Sequence, residues 1–160
     1  MLIRFLSNWS MDIQLRMALY HYPKAGEVLL CDFRGYQQPE MVKIRPVVVL
    51  VARLTGRSTE LVTVVPLGST RSQFHYPYQV PIKLKRPLSP KYNMTEVWAK
   101  CDMLAVVSRQ RLDRFRIPSS SSGGGQQWRS GEISAGQLEA VKAGVLYSLG
   151  YHLDIQDLGD

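Results

Sequence analysis

From residue 25 onward the chain alternates short apolar runs with polar or glycine-bearing breaks. Residues 26–33 (Gly-Glu-Val-Leu-Leu-Cys-Asp-Phe) form the first run, and a polar stretch over 34–41 ends it. Residues 43–51 follow as a β-branched, nearly continuous run, the pattern of a strand buried on both faces. Pro46 has no amide to donate, so it is expected among the first residues of that strand or at a bulge. Thr55-Gly56-Arg57-Ser58 makes a turn into residues 60–67, and further strand candidates occupy 78–84, 95–100 and 103–108. The basic segment 109–116 reads as a turn or a final strand edge. Short strands separated by turn signals predict a compact antiparallel sheet or small barrel. The periodicity then changes. Leu138, Val141, Val145, Leu146 and Leu149 recur at helical spacing and predict one apolar face on a C-terminal helix. Ser134 is placed to cap its start and Gly150 to stop it.

The 160 residues suit one domain, and 45% hydrophobic against 21% charged residues is a globular composition, not a disordered one. The organised pattern assigns residues 23–151 to that domain and 152–160 to an acidic tail. Residues 1–22 are an N-terminal extension, open to three readings: a helical arm, a disordered segment or an early start. Four serines followed by three glycines mark residues 118–130 as a flexible insertion. The longest apolar runs, 46–52 and 103–107, fall far short of the roughly 18–20 residues of a membrane span, so no membrane partner is expected.

Charge changes the picture more than composition does. The net charge is +7, but residues 1–42 are neutral, residues 43–116 carry fourteen bases against four acids, and residues 117–160 are net negative. A basic body of this kind suits a polyanion such as nucleic acid, because neutralised phosphates release counterions. A solvated basic surface would have the same composition. Cys31 and Cys101 lie in apolar strand contexts with no Cys/His cluster at zinc spacing, which predicts core thiols of a reducing, cytoplasmic setting and neither metal nor cofactor.

Three segments carry a resemblance to the PemK/MazF family of toxin endoribonucleases. They are Gly26-Glu27-Val28 with Asp32-Phe33, then Pro39-Glu40 with Arg45-Pro46-Val47, then Thr63-Val64-Val65-Pro66-Leu67-Gly68-Ser69-Thr70. A weaker echo runs through Lys100-Cys101-Asp102 to Leu112 and the helix ending Leu149-Gly150. The resemblance implies a mainly β fold with a C-terminal helix, a small SH3-like barrel of the PemK/MazF/CcdB type. It implies a homodimer that cuts single-stranded RNA without a metal, through attack of the 2′-hydroxyl on the scissile phosphate. It also implies a cognate antitoxin with an acidic segment. The alternatives are a CcdB-like gyrase poison, acting by protein binding through the C-terminal helix, and a catalytically inactive RNA-binding module.

Metal-free cleavage needs an activated 2′-hydroxyl, charge stabilisation at phosphorus and a proton for the leaving oxygen. The resemblance makes Arg45 the catalytic arginine, and a guanidinium can grip two phosphate oxygens at once. It places a phosphate-binding hydroxyl after the Pro66-Leu67 strand end. Gly68 stands at the usual position, so Ser69, supported by Thr70, takes the role or the hydroxyl is missing. Glu40 is read as general base or arginine orienter, with an exposed salt-bridge partner as the bland alternative. Lys43 and Arg71 are expected to bind substrate. His75 could exchange protons or lie idle at the surface, and Phe74 and Tyr76 could stack bases or form one face of a strand.

Overall fold

The computed structural model describes residues 21–119 and 125–151. The chain runs as β1 (Glu27–Asp32), β2 (Ile44–Val51), β3 (Leu61–Gly68), β4 (Gln79–Lys83), β5 (Glu96–Lys100), a 3-10 turn (Cys101–Met103) and β6 (Ala105–Ser108). A second 3-10 turn (Arg109–Arg111), β7 (Leu112–Asp113), β8 (Phe115–Ile117), β9 (Gln127–Arg129), β10 (Gly131–Glu132) and α1 (Ala135–Ser148) complete it. The class is mainly β with a C-terminal helix, as the sequence pattern predicts. The main sheet has the order β10-β1-β2-β3-β5-β4, with β6 also on β3 and β7 also on β1. Its two ends, β10 and β4, do not pair with each other, so the strand ladder does not close into a complete barrel.

Burial of β2 on both faces explains its unbroken apolar run. Val48 and Leu50 pack into one cluster with Val28, Val65 and Leu67, beneath α1. Val47 and Val49 pack on the opposite side with Leu29, Cys31, Val62 and Val64. Pro46 pairs with Leu30 of β1, whereas pairing with β3 begins only at Val47, so its missing amide falls where β2 has one neighbour. Pro66 is tolerated on similar grounds. Along one edge β3 pairs with β6 over Leu61–Val64 and with β5 from Leu67, and Pro66 lies in the gap between these partners.

The helix is capped as expected. Ser134 and Gln137 form a reciprocal capping box. At the other end Gly150 has φ of 78°, and the amides of Gly150 and Tyr151 donate to the carbonyls of Tyr147 and Leu146 at 2.9 Å each, a Schellman ending. The buried face is narrower than the periodicity suggests. Val141 and Val145 are buried and Leu138 packs against them, but Leu146 and Leu149 are 40% and 68% exposed. Gly144 takes the central place. A Cβ there would stand 2.8 Å from Cys101 Sγ and 2.9 Å from a Val80 methyl, so the helix touches the sheet through bare backbone.

Two further segments make contacts that the sequence pattern does not show. The flexible insertion does not extend to residue 130. Gln127–Arg129 pairs with Phe115–Ile117, and Arg129 anchors the hairpin by donating to the carbonyls of Leu88 (3.2 Å) and Pro87. Ordered structure also begins before Pro23. His21 Nε2 lies 2.8 Å from Glu27 Oε1, and Tyr22 donates to the Thr59 carbonyl while Arg53 and Arg109 lie over its ring. The remainder of the N-terminal extension (residues 1–20), the serine-glycine centre (120–124) and the acidic tail (152–160) lie outside the described residues.

Candidate functional site

Strand register assembles one transverse row of residues on a single face. Cys31 pairs with Arg45 across β1 and β2. The β2–β3 register, Val47 opposite Pro66, carried on by two residues brings Gly68 level with Arg45. Gly68 pairs with Trp98, and Trp98 with Pro81. Paired residues share a face, so Arg45, Gly68 and Trp98 line up on the side opposite the helix-covered core. Arg45 is half-buried, and its side chain makes no hydrogen bond or ion pair among the described residues. An unpaired, part-buried guanidinium is poised for an anion.

Lys100 is the residue that the sequence reading missed. It pairs with Gln79 in the next row, and its Cε would be 3.2 Å from a Cβ built on Gly68. Its Nζ donates to the Thr70 carbonyl at 2.9 Å and to Gln79 Oε1 at 3.4 Å, and that same oxygen accepts from the Ser72 amide at 3.2 Å. These bonds tie the segment after β3 to the sheet. The strand alternation held the signal: in Glu96-Val97-Trp98-Ala99-Lys100, Val97 and Ala99 face the core, which turns Trp98 and Lys100 outward.

Ser69 and Thr70 sit in the exposed turn after β3, with Thr70 fixed through its carbonyl. Arg71 follows and lies over the Trp98 ring, its guanidinium carbon 5.2 Å from the centroid. Arg71 Nη2 also approaches both ring nitrogens of His75. Phe74 and Tyr76 have ring centroids 6.0 Å apart, Tyr76 stacks on Tyr78 at 5.0 Å and 11°, and Tyr78 reaches Tyr147 of α1 at 6.5 Å. Phe74 is 65% exposed. The rings therefore form a ladder leading from the loop to the helix, not one face of a strand. The Tyr78 hydroxyl is held above its ordinary 10.0 by desolvation, then by Tyr76, Asp102 and Tyr147, and remains a donor.

Glu40 is not brought onto Arg45. Its Oε2 accepts from the Gln37 amide at 2.8 Å, closing its own loop around the cis Gln38–Pro39 bond. Nor does it act as a salt-bridge partner among the described residues. Lys43 is exposed on the same loop, just before β2. The root of the loop is held by Arg111 Nη1, which donates to the carbonyls of Asp32 and Arg34 at 2.8 and 3.1 Å. Among the described residues no three His, Cys, Asp or Glu side chains converge as metal ligands, and no helix is long and apolar enough to cross a membrane. Both cysteines are buried.

Residues 24–149 match the family model described as the PemK-like, MazF-like toxin of type II toxin-antitoxin systems. The chain belongs to this family. Its sequence is also 33% identical over 127 residues to YifN, an uncharacterized protein of Escherichia coli (strain K12), covering 62% of this chain and 78% of that one. Among solved structures it is similar to MazF from Deinococcus radiodurans, with a TM-score of 0.53 and 20% identity over 81% of this chain and 98% of that chain. A mycobacterial endoribonuclease in complex with its cognate antitoxin gives 0.52 and 20% over 82% and 98%. At these identities the structural likeness speaks to the fold, which this PemK-like, MazF-like chain shares.

Proposed function

We propose that this family member is an endoribonuclease, the RNA-cutting toxin of a type II pair, acting in the cytoplasm on single-stranded RNA. The observation that carries the reading is the unpaired Arg45, level with Gly68 and Trp98 and flanked by Lys100, on the most basic part of the chain. The scissile phosphate lies against Arg45, whose guanidinium stabilises the charge that grows on phosphorus. Ser69 and Thr70 supply hydroxyl hydrogen bonds to the same phosphate, and Lys100 and Lys43 add positive charge beside it. Protein cations thus take the electrostatic role that a metal would have. Glu40 is the candidate base: one carboxylate oxygen holds the Gln37 amide, and the other is available to the 2′-hydroxyl. Once its proton has passed to Glu40, the 2′-oxygen bonds to phosphorus and the P–O5′ bond breaks; the leaving 5′-oxygen takes a proton from solvent, giving a 2′,3′-cyclic phosphate and a free 5′-hydroxyl. Arg71, Phe74, His75 and Tyr76 form the wall on which flanking bases stack.

The same basic face suits the acidic segment of a cognate antitoxin, and the active unit is a homodimer. A second reading has one observation in its favour. The end of α1 exposes Leu146, Leu149 and Tyr151, a surface that a CcdB-like toxin would turn to a protein target such as gyrase. Incubating the full chain with a long single-stranded RNA in EDTA separates the two. Fragments with 2′,3′-cyclic phosphate ends that vanish in Arg45→Ala support the nuclease. Intact RNA together with inhibited gyrase overturns it.

A further inference from the structure

The sheet fails to close between β10 and β4, and a cleft of about 740 Å³ lies at that seam. We propose that this cleft is a second binding site, for a phosphate-bearing ligand. It shares no residue with the Arg45 face and does not depend on cleavage there. Lys24, Lys85, Arg86 and Arg129 line it, and none of the four makes an ion pair among the described residues. Arg129 is pre-set, because Nε and Nη2 donate to the carbonyls of Leu88 and Pro87, leaving Nη1 for a ligand.

The lining also holds two carboxylates, and their surroundings explain why the site still favours an anion. Glu27 is buried and already satisfied: Oε1 meets His21 Nε2 at 2.8 Å and Oε2 accepts from the Lys24 amide at 3.0 Å. Glu132 is exposed, where solvent screens it. Four cations therefore face one open carboxylate. A phosphate ligand fits better than an added peptide strand. The volume is that of a nucleotide-sized ligand site, whereas strand addition would have only the two-residue β10 on one side and, on the other, β4 interrupted by Pro81.

The source of the phosphate can be a monoester, as in a free nucleotide, or the backbone of a longer RNA. Calorimetric titration of the full chain with adenosine 5′-monophosphate and with a 2′-O-methyl RNA oligomer, which has no nucleophile for cleavage, distinguishes them. The key variant is Lys85→Ala with Arg86→Ala, both exposed in the turn after β4. Mononucleotide binding that weakens at least about tenfold in this variant, and persists in Arg45→Ala, assigns a monoester site. Oligomer binding alone weakened by the double substitution, including in an Arg45→Ala background, assigns a backbone subsite. Binding of both probes unaffected by the double substitution overturns the proposal. So does absence of binding in the unsubstituted chain, or mononucleotide binding that is lost in Arg45→Ala instead.

Discussion

The side chain of Lys100 lies over Gly68, with Cε 3.2 Å from the point where a Cβ would stand. A hydroxyl-bearing residue at 68 and this lysine therefore compete for the same space beside Arg45. The bare backbone at 68 lets Lys100 cross the strand and hold the Thr70 carbonyl. Lys100→Ala is expected to leave the fold within about 0.5 kcal/mol of its original stability, since the group is at the surface. It should slow RNA cleavage by about tenfold or more, through lost charge and a loosened turn. Gly68→Ser keeps the sheet, because what it meets is the far end of a flexible chain, and its cleavage rate should fall in parallel with that of Lys100→Ala. Unfolding curves alongside cleavage rates check both.

Arg45→Ala is expected to cost about 10²–10³ in cleavage rate, the usual loss when one transition-state stabiliser is removed. Arg45→Lys should recover little of it, because an ammonium cannot present two parallel donors to a phosphate. Single-turnover cleavage compared with binding of an uncleavable RNA tests the point. A loss in binding equal to the loss in rate would mean that Arg45 only holds the substrate.

Gly144→Ala sets two effects against each other. Alanine improves intrinsic helix propensity by up to about 1 kcal/mol. The new methyl, however, meets Cys101 Sγ at 2.8 Å, a Val80 methyl at 2.9 Å and the Pro77 carbonyl at 3.2 Å. Two of these belong to a buried core and the third is backbone, so none yields cheaply. Net destabilisation of about 1–2 kcal/mol is expected, with overpacking the winning effect. Leu149→Ser on the exposed side of the same helix should change stability by less than about 0.5 kcal/mol. Urea unfolding of both variants gives the comparison.

Burial pushes the Cys101 thiol up from 9.0 to about 12, with Asp102 adding to the shift and a backbone hydrogen bond from Val80 opposing it. The folded state thus keeps its proton where the unfolded chain has lost it. Its contribution to stability is complete below pH 9 and declines as pH rises from 9 towards 12. In the folded chain at pH 8, Cys101 should resist alkylation, and it should react once the chain is unfolded in urea. Mass spectrometry after iodoacetamide treatment reads both states. Unfolding curves between pH 8 and pH 11, about the range over which the shift acts, should lose in Cys101→Ser the alkaline decline in stability attributable to this group.

Much of the architecture is legible in local sequence. Strands β1 to β3 follow from runs of Val, Ile and Leu, because a pleated strand buried on two faces has little room for polar side chains, whereas β4 alternates buried with exposed positions. The helix ends are written in Ser134, Gln137 and Gly150, whose side chain or freedom of φ acts within a few residues. β9 is the opposite case. Gln127, Trp128 and Arg129 follow a Ser/Gly run and have no strand pattern, and they become a strand because Phe115–Ile117 and the carbonyls of Pro87 and Leu88 are there to meet them.

The candidate site divides along the same line. Arg45, Ser69 and Thr70 stand in contiguous motifs, and their residue types alone suggest phosphate chemistry. The chain by itself thus determined the mainly β class, the helix and the family pattern. Tertiary structure decided the rest: that Glu40 bonds its own loop, that Lys100 fills the place beside Gly68, that Leu149 faces solvent, and that an open seam gathers Lys24, Lys85, Arg86 and Arg129. The reason is separation. Hydrophobic period and capping act between neighbours in sequence, whereas Lys100 meets Thr70, and Arg129 meets Leu88, only after strands far apart in the chain have taken their register.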